Sequence, residues 1–132
     1  MKLIVGVHVG REILSAIENA RKRIWISSPY VSIELIEKLP RVDDGRVLVS
    51  ESLDDERIPT VAKIRGYRVR ALEGLHAKIY VADDIAAVGS PNFTLWGLHA
   101  NYEAAVIACE GEELYSEIVA AFEGLWRIGR DL

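Results

Sequence analysis

The chain has 132 residues and a formal net charge of −4, with 16 Lys and Arg residues against 20 Asp and Glu residues. This length allows one domain with a hydrophobic core and leaves no room for a second. An acidic chain is not expected to bind nucleic acid tightly and without specificity, because such affinity comes mainly from phosphate neutralisation by Lys and Arg. A locally basic cleft remains compatible with this charge, because the distribution of charge decides. No apolar run approaches the length of a membrane span.

The start of the chain and its single cysteine bear on where the protein works. Residues 1–11 carry one early Lys and an apolar stretch, as a minimal signal peptide does. His8 interrupts that stretch and no small-residue cleavage site follows it, so a core strand is the favoured interpretation. Cys109 has no partner in the chain for a disulfide, which fits a reducing compartment. We expect a cytoplasmic protein with no stable membrane association.

The first half of the chain alternates apolar strands with amphipathic helices. A nearly continuous apolar run over residues 3–9 predicts a strand that is covered on both faces. Apolar residues at helical spacing then predict a helix over 11–23. A strand over 24–26 ends in a Ser-Ser-Pro-Tyr turn at residues 27–30, and a short helix over 32–39 follows.

The second half continues the alternation. Pro59 suits the first turn of a helix expected over 60–65, and a second helix is expected over 112–127. Residues 95–100 are expected to form an apolar loop. The pattern predicts an α/β fold with a mixed sheet of about seven strands between helices, as one domain over 1–132. Further strands are expected over residues 46–50, 67–72, 85–88 and 103–109.

Residues 76–94 hold the side chains best suited to attack on a phosphodiester without a metal. Alternate side chains of an extended strand share a face, so His76 and Lys78 would place a nucleophile beside a fixed cation. The chain then continues as a buried strand, a turn and a second short strand. This hairpin would bring Ser90 and Asn92 back toward His76. Their hydroxyl and amide are uncharged donors for phosphate oxygens.

Two further residues complete the candidate site. Gly89 permits a tight backbone before Ser90. Glu103 starts another predicted strand, and its carboxylate could hold an imidazole in one tautomer. No cluster of potential ligands has metal-site spacing, so neither a metal nor another cofactor is expected. The competing interpretation, that His76 and Lys78 merely decorate a strand edge, is disfavoured by the strand-turn-strand context.

This pattern resembles the phospholipase D superfamily, whose signature is His-x-Lys, four residues, Asp, six residues and then Gly-Ser/Gly-x-Asn. The strand, Pro-Tyr turn and helix of the first half also resemble that family. The resemblance implies that His76 attacks phosphorus and forms a phosphohistidine, while His76 of the partner subunit protonates the leaving oxygen. It implies that Lys78, Asn92 and Ser90 bind the non-bridging oxygens. Glu103 would hydrogen-bond a histidine nitrogen, possibly across the dimer, and Asp83 would have a structural role in its turn.

A single copy of the motif has a consequence for assembly. Relatives with two copies build one site from both, and this chain is similar to the small nuclease-like members that dimerise. We therefore expect a homodimer with one shared site on its two-fold axis.

Several other side chains have two competing interpretations. Arg68 and Arg70 share a strand face and would either steer a polyanionic substrate toward His76 or pair with the acidic loop at residues 51–56. Tyr30 would line the cleft or, more simply, cap the core. Trp96, with its neighbour Leu98, would form a dimer contact or cleft wall, or pack into its own core.

The substrate class is the least determined prediction. The motif specifies a phosphodiester, and the small compact chain favours a nuclease acting on nucleic acid. A phospholipase would need an apolar docking surface, for which only the loop over 95–98 offers itself. A module that binds nucleic acid without cutting it is a third interpretation, which the intact set of catalytic residue types disfavours.

Overall fold

The computed structural model describes residues 1–53 and 55–132. In this part of the chain, eight strands form one mixed sheet in the order β1-β7-β6-β5-β2-β3-β4-β8. The strands are β1 (Lys2–Gly6), β2 (Arg23–Ser27), β3 (Asp44–Ser50), β4 (Tyr67–Leu72), β5 (Ile79–Ala82), β6 (Ile85–Gly89), β7 (Glu103–Cys109) and β8 (Arg130–Asp131).

Five helices are found among the described residues, and both faces of the sheet carry them. The helices are α1 (Val9–Asn19), α2 (Ile33–Glu37), α3 (Arg57–Ile64), α4 (Leu95–His99) and α5 (Glu113–Ile128). Apolar residues of α1 to α4 pack in one cluster with one face of the sheet. Those of α5 pack in a second cluster on the other face, the α5 face. The predicted α/β fold with helices on both sides is confirmed.

The sheet combines a parallel half with an antiparallel half. Strands β2, β3 and β4 run parallel, so their carboxyl ends lie side by side at the same end of the sheet. Strands β5, β6 and β7 pair antiparallel, and β5 joins them to β2. The short β8 pairs antiparallel with β4 and was not expected, because two residues carry no readable periodicity.

Three local expectations are wrong. The first strand is not covered on both faces, because β1 lies at the sheet edge and leaves Leu3 and Val5 68% and 62% exposed. That strand also ends at Gly6, and Val9, which was expected inside it, is fully buried at the start of α1. The apolar segment at residues 95–100 is mainly helix α4 rather than a loop, because the Thr94 hydroxyl accepts a hydrogen bond from the Gly97 backbone at 3.0 Å and caps its first turn.

Within the described residues, no helix is both long enough and apolar enough to cross a membrane.

Candidate active site

His76 and Lys78 lie side by side just before β5. The Nζ of Lys78 is 3.2 Å from Nδ1 and 3.4 Å from Nε2 of the imidazole. An ammonium group only donates hydrogen bonds, so the ring nitrogen that faces it acts as the acceptor. Within residues 1–53 and 55–132, no carboxylate oxygen lies within 4.0 Å of the Lys78 ammonium. The imidazole therefore sits beside a cation whose charge is free to meet an anion.

Neighbouring strands hold this segment extended on both sides. The buried Ser27 hydroxyl, at the end of β2, donates to the Ala77 carbonyl at 2.9 Å. On the other side, the Gly89 backbone N–H donates to the Lys78 carbonyl at 3.3 Å. These bonds fix the backbone between His76 and β5, so that His76 and Lys78 point to the same side.

Ser90 and Glu103 are bonded to each other at the ends of β6 and β7. The Ser90 hydroxyl donates to Glu103 Oε1 at 2.5 Å and accepts from the Ala104 N–H at 3.0 Å. Gly89 makes this approach possible, because a Cβ there would lie 2.3 Å from the Ala104 carbonyl oxygen. Any side chain at Gly89 would push β6 away from β7. Glu103 was expected to bond a histidine nitrogen, and the partner it has among the described residues is Ser90.

A buried serine, Ser28, lies next to the Asn92 side chain. The Ser28 hydroxyl is fully buried and accepts from the Phe93 N–H at 3.0 Å. It also donates to the Tyr30 carbonyl at 2.7 Å and lies 3.5 Å from Asn92 Oδ1. In the described part of the chain, the Asn92 side-chain nitrogen has no protein partner and can donate to a ligand.

The tyrosine next to Lys78 along the same strand face fixes the segment that follows Ser90. The Tyr80 phenol donates to the Pro91 carbonyl at 2.6 Å. Burial raises the pKa of Tyr80 well above its usual value, which keeps the phenol protonated as a donor at neutral pH. Ser27, Ser28 and Tyr80 are the supporting residues that sequence reasoning missed. The sequence signal for Ser27 and Ser28 was a pair of serines at the end of a buried strand. Buried hydroxyls need hydrogen-bond partners, so such a pair indicates contacts with neighbouring segments.

Asp83 lies at the opposite end of the hairpin from His76. Its carboxylate accepts hydrogen bonds from the backbone N–H groups of Arg21, Lys22 and Arg23 at 2.8 to 3.0 Å. Burial tends to raise the pKa of Asp83, but these three donors outweigh it and hold that pKa below its ordinary value. The contacts tie the β5–β6 turn to the start of β2.

The six-residue spacing expected between Asp83 and Gly89 is wrong by one. Five residues, 84–88, separate them, because Asp83 and Asp84 alone make the turn between β5 and β6. Asp83 adopts a positive φ of 52°, which Asp tolerates better than most residues and which suits a two-residue hairpin turn.

The structure does not bring Arg68 and Arg70 to the site. Both lie on the α5 face, with their guanidinium groups over the Trp126 ring. Arg68 pairs with Asp44 at 3.0 Å and Arg70 with Asp131 at 2.8 Å. Neither forms an ion pair with the described residues of the acidic loop, 51–53 and 55–56.

The remaining candidates divide between surface and core. Trp96 is 72% exposed on α4, whereas Leu98 is fully buried against Gly10 of α1. Tyr30 is 49% exposed and therefore does not cap the core. It lines a surface cavity that also contains His76. The described residues include no group of three or more potential ligands placed to hold a metal ion.

Comparisons with known proteins identify the family and the fold. Residues 13–126 match the family profile described as "Cardiolipin synthase, PLD-like domain". The fold is similar to Nuc of Salmonella typhimurium, a phospholipase D family member, with a TM-score of 0.73 and 20% identity over 99% of this chain and 97% of Nuc.

Two further solved structures share the fold. NucT from Helicobacter pylori has a TM-score of 0.73 and 16% identity over 99% of this chain and 98% of NucT. TrmBL2, an archaeal chromatin protein, has a TM-score of 0.66 and 14% identity over 99% of this chain and 53% of TrmBL2. No curated protein matches by sequence. Since the family profile spans most of the chain and the fold agrees with it, this protein belongs to the phospholipase D superfamily.

Proposed function

We propose that the protein is a metal-independent phosphodiesterase, and specifically a nuclease, that works through a phosphohistidine at a site shared by two subunits. The observation that carries the proposal is the contact between His76 and Lys78, in which a nucleophile lies beside a cation that no described carboxylate neutralises. The uncharged amide of Asn92 follows the same hairpin, whereas the one hydroxyl proton of Ser90 is donated to Glu103. Lys78 and Asn92 together suit the non-bridging oxygens of an attacked phosphate.

The proposed reaction has two displacements. A ring nitrogen of His76 attacks phosphorus, and the bond to the leaving oxygen breaks as His76 of the partner subunit gives that oxygen a proton. The partner's His76 then accepts a proton from water, which attacks phosphorus and breaks the phosphorus–nitrogen bond. Lys78 and Asn92 bind the non-bridging oxygens throughout. Glu103 and Ser90 act as a hydrogen-bonded pair that holds the end of β6 against the start of β7.

The test is cleavage of labelled single- and double-stranded DNA and RNA in excess EDTA at low salt. The native protein is expected to cut at least one polymer, and His76→Asn, which keeps the side chain's size and polarity, is expected to cut none. Loss of native cutting in EDTA, with recovery when Mg²⁺ is added, would overturn the metal-independent mechanism. Equal cutting by both proteins would remove His76 from the chemistry.

An apolar strip on the α5 face of the sheet supports a dimer. The strip consists of Leu3 and Val5 of β1, Val106 of β7 and Val88 of β6, and strand pairing aligns Leu3, Val106 and Val88 in one row. Leu3, Val5 and Val88 are 68%, 62% and 37% exposed. Contiguous exposed apolar side chains mark interaction surfaces. Val88 pairs with Ile79 of the second cluster, so the strip faces away from Lys78, which shares the opposite face with Tyr80. A second copy seated on the strip would cover the exposed side chains of β1 and β6.

Two measurements test the dimer. Val5→Glu puts a charge in the strip and is expected to give a monomer without cleavage activity, whereas Ile64→Glu, at an exposed position of α3, is expected to stay dimeric and active. Molecular mass is measured by analytical ultracentrifugation. In mixtures of exchanged native and His76→Asn subunits, total activity should follow the square of the native fraction. A linear dependence would mean that each subunit works alone.

A lipid phosphodiesterase is the second candidate. It is favoured by the exposed side chains of Leu95 and Trp96 at the start of α4, which are 41% and 72% exposed. Hydrolysis of short-chain phosphatidyl lipids, dependent on His76, without any cutting of nucleic acid would select it. Binding of nucleic acid without cleavage of any phosphodiester would instead favour a binding module, the role suggested by the DNA binding named for TrmBL2.

A further inference from the structure

A cavity of about 680 Å³ opens beside His76 and is distinct from the positions of Lys78, Ser90 and Asn92. It lies where the parallel strands β2, β3 and β4 end, and we call it the strand-end pocket. Ligands of open α/β sheets bind outside the carboxyl ends of such strands. Its volume falls in the range of about 300–1,000 Å³ that is usual for ligand sites. The residues that matter here are Tyr30, Ser50, Ser52, Glu73 and His76.

The chemistry of the strand-end pocket differs from that of the phosphate-binding residues. None of its lining residues is Lys or Arg. Glu51 also lines it, but both oxygens of that carboxylate accept from Arg130, at 3.0 and 2.9 Å. Glu73 is exposed and can only accept hydrogen bonds when ionised. The pocket therefore repels a second phosphate and suits an uncharged group that donates hydrogen bonds.

Tyr30 gives the pocket a flat apolar surface that is held in place. Its side chain is 49% exposed, and its hydroxyl lies 3.1 Å from the Ser52 hydroxyl. Ser52 is in turn 2.7 Å from the hydroxyl of the nearly buried Ser50. The Tyr30 carbonyl accepts from Ser28, the same buried hydroxyl that lies beneath Asn92. A ring fixed in this way needs little ordering when a planar ligand stacks on it.

We propose that the strand-end pocket binds one nucleoside of the substrate, next to the phosphate that His76 attacks, with its base stacked on Tyr30. This assignment rests on the proposed nuclease function, because His76 both lines the pocket and is the proposed nucleophile. Stacking on an aromatic ring accepts any base, so the pocket requires a base without selecting a sequence. It accounts for how an acidic chain holds a polyanion: one nucleoside binds without charge, and one phosphate binds at Lys78.

Cleavage around an abasic position tests the pocket. In a labelled 12-residue homopolymer with one abasic nucleotide, the native protein should cut one of the two flanking bonds about tenfold less than the other bonds. Tyr30→Ala should lose this discrimination and cut every bond about tenfold more slowly, while Tyr30→Phe should keep it. Ile64→Ala, at an exposed position remote from the pocket, is the matched control and should behave as native. Equal native cutting at both flanking bonds would overturn the proposal.

A binding measurement separates failure of the pocket from failure of the nuclease. In the His76→Asn background, Tyr30→Ala should weaken binding of a labelled trinucleotide about tenfold in fluorescence anisotropy. If Tyr30 matters for binding but the native protein cuts no polymer, the pocket stands and the nuclease falls. If cutting depends on His76 but neither cutting nor binding depends on Tyr30, the nuclease stands and the pocket falls. Binding of a short-chain phosphatidyl lipid in place of the trinucleotide would also overturn the nucleoside assignment.

Discussion

The candidate active site and the α5 face hold cationic side chains in different surroundings. At the candidate active site, Lys78 contacts His76 and no carboxylate within the described residues. On the α5 face, four guanidinium groups lie 4.3 to 5.8 Å from the centre of a tryptophan ring. We call them the arginine layer, which consists of Arg23, Arg46, Arg68 and Arg70. Three of the four also bind carboxylates, namely Arg46, Arg68 and Arg70.

Guanidinium and ammonium groups have different roles in these two regions. A planar guanidinium stacks on a ring and binds a carboxylate through two N–H groups at once, as Arg46 does with Asp44. Its charge is then satisfied inside the fold. The ammonium of Lys78 is a point charge that the fold leaves available. We therefore expect changes in the arginine layer to affect stability and a change at Lys78 to affect catalysis.

The largest expected effect is that of Lys78→Ala. Removing one preorganised donor to a transition-state oxygen typically lowers kcat by about 10²–10³. The melting temperature should stay close to native, because Lys78 has no ion pair to lose in the described structure. Steady-state cleavage kinetics and thermal unfolding are measured on the same preparations. Lys78→Arg should recover part of the activity, and full activity in Lys78→Ala would contradict the comparison.

The arginine layer should respond in the opposite way to Asp44→Ala. The Asp44 carboxylate accepts from Arg46, from Arg68 and from the Trp25 ring nitrogen. Breaking a buried ion pair costs about 3–5 kcal/mol, and we expect about 2 kcal/mol here because the Asp44 side chain is 33% exposed. Urea unfolding gives this value, and activity per folded molecule should stay within about twofold of native. Asp43→Ala, at the exposed neighbour, is the control; a comparable loss there would show that the Asp44 contacts are not the cause.

The same two regions differ in how far the sequence predicted them. His76 and Lys78 come just before β5, and Ser90 and Asn92 come just after β6, so period-two alternation and a turn were enough to predict that all four lie toward the same end of this hairpin. The register of distant strands sets the arginine layer. Trp25 pairs with Arg46, and Arg46 pairs with Arg68, across parallel connections whose lengths carry no register signal.

The misplaced elements have a similar physical origin. The apolar run at the start of the chain indicated burial, and only the position of β1 at the edge of the sheet explains why Leu3 and Val5 are exposed. The expected loop at 95–100 is helical because of one cap, Thr94, and because Leu98 packs against Gly10 far away in the chain. Position in the sheet decided the first case, and a local cap together with a contact from a distant helix decided the second.

A smaller, pH-dependent effect is expected at the turn between β5 and β6, which Asp83 ties to the start of β2. In Asp83→Asn, an amide replaces the carboxylate that accepts three backbone N–H groups, which should cost about 1–2 kcal/mol at pH 7. The pKa of Asp83 is lowered in the folded protein, so this stability is fully present above its ordinary pKa of 3.8 and is lost as pH falls through the lowered value. The native and variant curves of unfolding free energy against pH should therefore converge in acid. Asp84→Asn is the control, and a gap that persists at low pH would assign the loss to geometry instead of charge.

The smallest expected effect is that of Arg68→Ala, which decides between the two interpretations of this side chain. Its partner Asp44 keeps Arg46, and the Arg68 side chain is 61% exposed, so the loss of stability should stay below about 1 kcal/mol. Arg68 lies on the α5 face, and Lys78 shares the opposite face with Tyr80 of the first cluster, so the rate of cleavage and its dependence on salt should not change. If Arg68→Ala slowed cleavage at low salt and flattened its salt dependence, long-range steering by this arginine would be the better account, because such steering is screened by ions. In that case Arg68 would both pair with Asp44 and act on the substrate. Pairing within the fold would then not prevent a cation from contributing to catalysis.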